Sequence, residues 1–254
     1  MNAASPATHP EKEVQFNLQD INVHFGLQQA LHNINLQIAK GDRLALIGAN
    51  GSGKSTLLRV LHGLITSTRV KATGRLTGTI KTMQGTRQAM LFQRPHMLRM
   101  SVLNNVTLAA WLNGQSWQAG KKQAMNELKR VGLLDLSQRP ANTLSQGQQQ
   151  RVAFARASVT QPNVLVLDEP TASMDPRSKR EVEGLMQDFA EQDSGLTLIF
   201  ASHNLGQVKR LATHVAYLEY GKILAFLPVA EFFDEDHLTM VSQQAQKFLK
   251  GNLL

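Results

Sequence analysis

The sequence contains no cysteine and no uninterrupted apolar segment near the roughly 20 residues needed to cross a bilayer. The lack of cysteine excludes disulfide bonds and thiolate metal sites, and it fits a reducing compartment. The polar N-terminus, MNAASPATHPEKE, lacks the apolar run of a secretory signal. We therefore expect a cytoplasmic protein with a flexible tail over residues 1–13 and one globular domain over residues 14–254.

Acidic residues are missing from a long part of the chain. Residues 43–126 contain 12 Lys or Arg and no Asp or Glu, within a net charge of +8. A block this one-sided could face phosphates, an anionic membrane surface or nucleic acid, or it could be a solvated basic face. Composition alone does not choose between these interpretations.

Apolar patterning predicts strands that alternate with helices. Residues 14–26 and 30–42 alternate with a period of two, as half-buried antiparallel strands do, and residues 43–48 form an apolar run typical of a buried strand. A mainly helical region is expected at about 94–150. The alternation indicates a parallel α/β sheet behind an antiparallel layer. Other strands are predicted at 75–80, 87–93, 164–170, 196–202 and 214–224, and helices at 54–64 and 180–192.

A glycine-rich loop lies between a predicted buried strand and a predicted helix. Its sequence, GANGSGKST, matches the phosphate-binding pattern G-x-x-x-x-G-K-[ST]. Gly51 and Gly53 would let main-chain N–H groups surround phosphate oxygens, and Lys54 would add a mobile cation. Ser55 would offer its hydroxyl to Mg²⁺, and a chance glycine turn before a helix is the alternative. The expected phosphate contacts are Gly48, Ala49, Asn50, Gly51, Ser52, Gly53, Lys54, Ser55 and Thr56.

Two carboxylates, Asp168 and Glu169, end another predicted buried strand. Such a strand would carry both to the carboxyl edge of the sheet, where nucleotides bind in open α/β folds. There Asp168 would hold the Mg²⁺ shell, and Glu169 would orient the attacking water or accept its proton. An ordinary solvated strand end is the alternative.

The segment LSQGQQQR, at residues 144–151, begins a predicted helix with Ser145 as a good N-cap. Alone it could be an N-capped polar helix, but it resembles the signature of the ABC transporter ATPases, usually written LSGGQ. In that family the segment caps the γ phosphate of ATP bound to the opposite subunit. The resemblance assigns ATP contacts to Ser145, Gln146, Gly147 and Gln148, and the sequence departs from it at Gln146, where glycine is usual. Side-chain bulk there would weaken the clamp.

Four companion features occur in the order typical of the family. By this resemblance Gln93 reaches Mg²⁺ and the attacking water, and His203 contacts the γ phosphate. Ser173–Asp175 matches the loop that crosses the dimer interface, and Phe25 takes the place of the ring that stacks on adenine. The alternatives are a surface glutamine, a strand-end histidine, a turn aspartate and a core phenylalanine.

The resemblance implies a P-loop α/β fold of ABC type, with an N-terminal antiparallel β layer and a helical subdomain at about 94–150. The catalytic residues would be Glu169, His203 and Gln93, and Mg²⁺ would be held by Ser55, Gln93 and Asp168. It further implies a head-to-tail homodimer that hydrolyses ATP beneath a separate integral membrane permease, at the cytoplasmic face of the plasma membrane. A substrate-binding protein would act indirectly, and no nucleic acid partner is expected.

The segment LFQRPHMLRMSV, at residues 91–102, and SHNLGQV, at 202–208, resemble the ATPases of bacterial tungstate importers. In the family, residues after Gln93 face the permease, so Arg94 and Arg99 would contact the permease and not the cargo. Packing of Met97 and its neighbours inside the helical subdomain is the alternative. We therefore expect import of tungstate or a related oxyanion. The rivals are import of polar amino acids, a non-transport ABC ATPase acting on nucleic acid, and a kinase that shares only the phosphate loop.

Overall fold

The computed structural model describes residues 13–66, 75–192 and 195–253. The chain divides into two compact units, Met1–Thr86 with Ser194–Leu254, and Arg87–Asp193. We call them the first and the second unit. All but the last residue of the tail predicted at 1–13 lies outside the described residues. Within the described ranges, no helix combines the length and the apolar character that a bilayer crossing requires.

The first unit contains the predicted antiparallel layer. Strands β1 (Val14–Phe25), β2 (Gln28–Ala39) and β4 (Arg75–Thr82) lie in the order β2-β1-β4, and both neighbouring pairs are antiparallel. Apolar side chains of β1 are fully buried with a period of two on each side of Asp20, where the pairing register shifts and φ is +52°. They are Phe16, Leu18, Ile21 and Val23.

The same unit holds parallel strands that lead into two of the predicted site segments. Strand β3 (Arg43–Ile47) pairs in parallel with β7 (Thr197–Ala201) on one side and with β8 (His214–Glu219) on the other. Because β3 and β7 are parallel, the segments after them, which begin at Gly48 and Ser202, leave the sheet at one edge. Helices α1 (Lys54–Leu61) and α6 (Leu205–Leu211) follow those segments.

The chain after β8 forms the predicted hairpin and then three helices that the sequence analysis did not foresee. Strand β9 (Lys222–Pro228) pairs antiparallel with β8. The rings of Phe248 and Tyr217 lie 5.1 Å apart, and burial, with the charge of Glu219, raises the pKa of Tyr217 to about 12. The three helices are α7 (Val229–Phe232), α8 (Glu235–Val241) and α9 (Gln243–Leu253).

The second unit is mainly helical. Strands β5 (Gln88–Leu91) and β6 (Val164–Asp168) pair in parallel. The helix predicted at 180–192 begins earlier, because Asp175 accepts hydrogen bonds from the first N–H groups of α5. The helices are α2 (Val102–Leu112), α3 (Trp117–Arg130), α4 (Gln146–Ser158) and α5 (Pro176–Gln192), with 3-10 turns at Leu134–Leu136 and Ala141–Thr143.

Candidate ATP-binding and hydrolysis site

The glycine-rich loop joins β3 to α1, as predicted. Gly51 and Gly53 have φ angles of +79° and +107°, which residues with side chains seldom adopt. At Gly48 a Cβ atom would lie 2.1 Å from the carbonyl oxygen of Leu218, so only glycine fits there. The backbone of this loop therefore depends on its glycines.

The start of α1 is suited to an anion. Its N-cap is Gly53, which offers no side-chain acceptor to the first-turn N–H groups, whereas Ser101 and Ser145 cap α2 and α4 with their hydroxyls. Lys54 is only 5% exposed, and its Nζ donates to the carbonyl oxygens of Gly48 and Ala49 at 2.9 and 3.1 Å. An ammonium beside the start of a helix that has no side-chain cap can receive a polyphosphate.

Phe25 ends β1, opposite Gln28 of β2. Its side chain is 38% exposed, so the core alternative is wrong. An exposed ring at a strand end can stack on a base, because aromatic faces attract other flat π systems. Stacking on adenine stays a prediction.

His203 is exposed just beyond the end of β7. The preceding hydroxyl, Oγ of Ser202, donates to Oε1 of Gln207 at 2.6 Å and accepts from the N–H of Asn204 at 3.0 Å. Gln207 is fully buried, and Asn204 caps α6. This support was not predicted, although the string SHNLGQ signals it with an N-cap one residue after the histidine.

In the second unit, the end of β6 brings together Glu169 and Gln93. Asp168 is buried, Glu169 is half-buried, and Nε2 of Gln93 donates to Oε2 of Glu169 at 3.4 Å. Glu169 has a φ of +48°, a strained value for a residue that is not glycine. The backbone thus turns sharply between the two acids, which are not simply a solvated strand end.

Ser145 of the signature segment is the N-cap of α4, as predicted. Oγ of Ser145 accepts from the N–H of Gln148, and Oε1 of Gln148 accepts from the N–H of Ser145 at 3.0 Å, a complete capping box. A Cβ atom on Gly147 would lie 2.6 Å from Oγ of Ser178, so the start of α4 packs closely on α5. The Ser178 hydroxyl and main-chain N–H in turn hold the pKa of the Asp175 carboxyl below its ordinary value.

The predicted site residues fall into two sets, one in each unit. The phosphate loop, Phe25 and His203 belong to the first unit, whereas Gln93, Asp168, Glu169 and the segment 145–148 belong to the second. Mg²⁺, the cation expected from the sequence, is a hard cation that prefers oxygen ligands. Ser55 would contribute a hydroxyl and Asp168 a carboxylate.

Comparison with known proteins identifies the family. The ABC transporter profile matches residues 31–172. A phosphonates import ATP-binding protein of Pseudomonas aeruginosa is 37% identical, over 87% of this chain and 86% of its own. An arginine transport ATP-binding protein of Bacillus subtilis is 34% identical, over 92% and 98%.

A solved structure of similar fold is MJ0796, a bacterial ABC transporter cassette determined as a dimer. It superposes with a TM-score of 0.72 at 25% identity, over 84% of this chain and 98% of its own. Together with the phosphate loop, the acidic strand end and the capped signature segment, these matches show that the chain belongs to the ABC transporter family as an ATP-hydrolysing, ATP-binding subunit.

Proposed function

We propose that this chain is the ATPase of an ABC importer and works as a homodimer at the cytoplasmic face of the plasma membrane. It would lie beneath a separate permease, to which a substrate-binding protein delivers the solute. The observation that carries the proposal is the capping box at Ser145. It shows that the segment resembling the ABC signature begins a helix, in a chain that also has a phosphate loop followed by a helix. The relatives named for import and the cassette solved as a dimer support it.

The predicted site residues of the first unit bind and position ATP in this proposal. Lys54 and the first-turn N–H groups of α1 bind and orient the β and γ phosphates of ATP, and Phe25 stacks on the base. His203 contacts the γ phosphate. These groups position the reacting phosphate, and no covalent intermediate with the protein is needed.

The acidic strand end carries out the proton chemistry in this proposal. Glu169 orients the attacking water and accepts its proton, while Gln93, bonded to the same carboxylate, keeps it in place. Ser55, Gln93 and Asp168 would hold Mg²⁺. When bound, the cation neutralises charge that develops on the phosphate oxygens.

Two copies would assemble head to tail. Ser145 and the start of α4 in one copy cap the γ phosphate held by Lys54 of the other, so that ATP completes the interface. Hydrolysis then loosens the interface. Because closure depends on the nucleotide, ATP binding can perform mechanical work on an attached permease.

The segment after Gln93 is the proposed contact with the permease. Buried Asn105 holds its backbone by accepting from the N–H of Leu98 at 3.0 Å and donating to the carbonyls of Leu98, Met100 and Ser101. Leu98 is 40% exposed, and Arg94 and Arg99 are exposed as well. Within residues 94–101 only Met97 is buried, so packing within the helical subdomain accounts for part of the segment and leaves an exposed edge.

The proposed cargo is an oxyanion, with tungstate as the first candidate and polar amino acids as the second. A relative named for phosphonates import supports the oxyanion class, because phosphonates carry an anionic oxygen head group. A relative named for arginine transport supports the amino-acid candidate. In this proposal the exposed segment contacts the permease, so its sequence depends on the permease and only through it on the cargo.

Uptake measurements test the proposal. Cells that lack the gene should lose uptake of tungstate, and a plasmid copy should restore it, while a Glu169→Gln copy should not. Phosphonate, phosphate, molybdate, arginine and glutamine uptake are measured in the same strains. Loss of arginine or glutamine uptake with tungstate uptake unchanged would establish the second candidate, and unchanged uptake of all these solutes would contradict the importer assignment.

A further inference from the structure

The loop between β6 and α5 holds an unusual backbone. Glu169 and Ser173 both adopt left-handed φ angles, +48° and +59°, and neither is glycine. Such conformations are costly and persist only when the surroundings fix them. A turn bond from the N–H of Ala172 to the carbonyl of Glu169, at 3.1 Å, fixes part of this loop. The rest of the loop needs contacts from outside it.

The start of α4 supplies two attachments. Nε2 of Gln146 donates to the carbonyl oxygen of Ala172 at 3.4 Å, a long hydrogen bond that reaches the middle of the loop. At the next residue, Gly147 lies directly against Ser178, whose main-chain N–H donates to Oδ1 of Asp175 at 3.0 Å. The loop is therefore bound to the signature segment at its middle and, through Ser178, at its end.

We propose that Gln146 is a positioning residue, whose amide fixes the loop Ala172–Asp175 to the start of α4 so that Ser145 and Asp175 meet the second copy as one surface. Glycine, the residue usual in this family at that position, has no side chain to form the bond. In this proposal the Gln146 side chain has a structural role in this chain and does not weaken the capping of the γ phosphate by the signature segment. The contacts described above support the attachment of the loop to α4. The role of this loop in the dimer rests on the proposed function.

Hydrogen exchange in the nucleotide-free protein tests the first part. Gln146→Met keeps side-chain length and loses the donor, so backbone amides of 171–175 should exchange about fivefold faster. Gln146→Lys keeps a donor and should restore slow exchange. Gln187→Met is the matched control, because Gln187 is also exposed and donates only to Glu191 of its own helix among the bonds described for it. Unchanged exchange in Gln146→Met, or equally fast exchange in Gln146→Lys, would overturn the proposal.

ATP hydrolysis tests the second part. Gln146→Met and Gln146→Gly should lower kcat about threefold to tenfold and leave KM for ATP unchanged, because nucleotide binds first to the phosphate loop. A raised KM with unchanged kcat would contradict a positioning role. If the wild-type chain forms no ATP-dependent dimer, the proposed function fails while the exchange result still decides the role of Gln146, so the two failures are distinguishable.

Discussion

Replacement of Glu169 by glutamine is expected to lower the rate of ATP hydrolysis by about 10²- to 10⁴-fold and to leave ATP binding intact. The amide preserves the shape of the side chain but cannot accept a proton from water. Glutamine can also keep the contact with Nε2 of Gln93 through its own oxygen. The left-handed backbone at this residue and its bond from the N–H of Ala172 involve main-chain atoms only, so the fold should be unchanged.

The measurement is steady-state phosphate release together with ATP affinity from a binding titration. Size-exclusion chromatography with ATP should show that dimers accumulate, because the interface closes and is not released. Glu191→Gln is the control, since Glu191 is an exposed carboxylate that accepts from Gln187 on α5. A Glu169→Gln protein that hydrolyses ATP near the wild-type rate would remove Glu169 from the catalytic role.

Removal of the Lys54 side chain should weaken ATP binding by about 10- to 100-fold and abolish measurable hydrolysis. Hydrogen bonds to charged groups are the stronger ones, and the buried ammonium is part of the surface that receives the phosphates. Lys54→Ala also takes a donor from the carbonyls of Gly48 and Ala49. Thermal unfolding should therefore be recorded beside the ATP titration, so that a loosened loop is separated from lost phosphate contact.

Lys40→Ala is the matched control in the same unit. Its ammonium pairs with Glu13 at 2.9 Å on the exposed surface, where ion pairs contribute little. This variant should bind ATP like the wild type. ATP affinity of Lys54→Ala within twofold of the wild type would contradict the assignment of Lys54 to the phosphates.

Local physics made much of the fold predictable. The period of two in β1 and β2, the apolar runs of β3 and β6, and the N-cap at Ser145 are short-range patterns, and all three were confirmed. The exact starts of the helices were not predictable. The helical region was expected from about residue 94, and its first helix, α2, begins at Val102, because Asn105 holds the preceding residues as an irregular loop.

Features that depend on contacts distant in sequence were not predictable. The left-handed backbone of Glu169 and the approach of Gly147 to Ser178 follow from packing between elements. The basic residues within 43–126 also do not share one environment. Lys54 from that block is buried in the phosphate loop of the first unit, whereas Arg94 and Arg99 are exposed in the second. A stretch with one charge sign therefore need not form one face of the protein.

In the proposed homodimer, each ATP site is shared between two copies of this chain. Lys54→Ala and Ser145→Ala chains, each expected to be inactive alone, are mixed in equal amounts. They are assayed for single-turnover hydrolysis, so that a requirement for two active sites does not hide one. Mixed dimers carry both lesions in one site and leave the other intact. We expect about a quarter of the wild-type amplitude, because random pairing makes half of the dimers mixed. Hydrolysis no greater than that of the separate mutants would contradict shared sites.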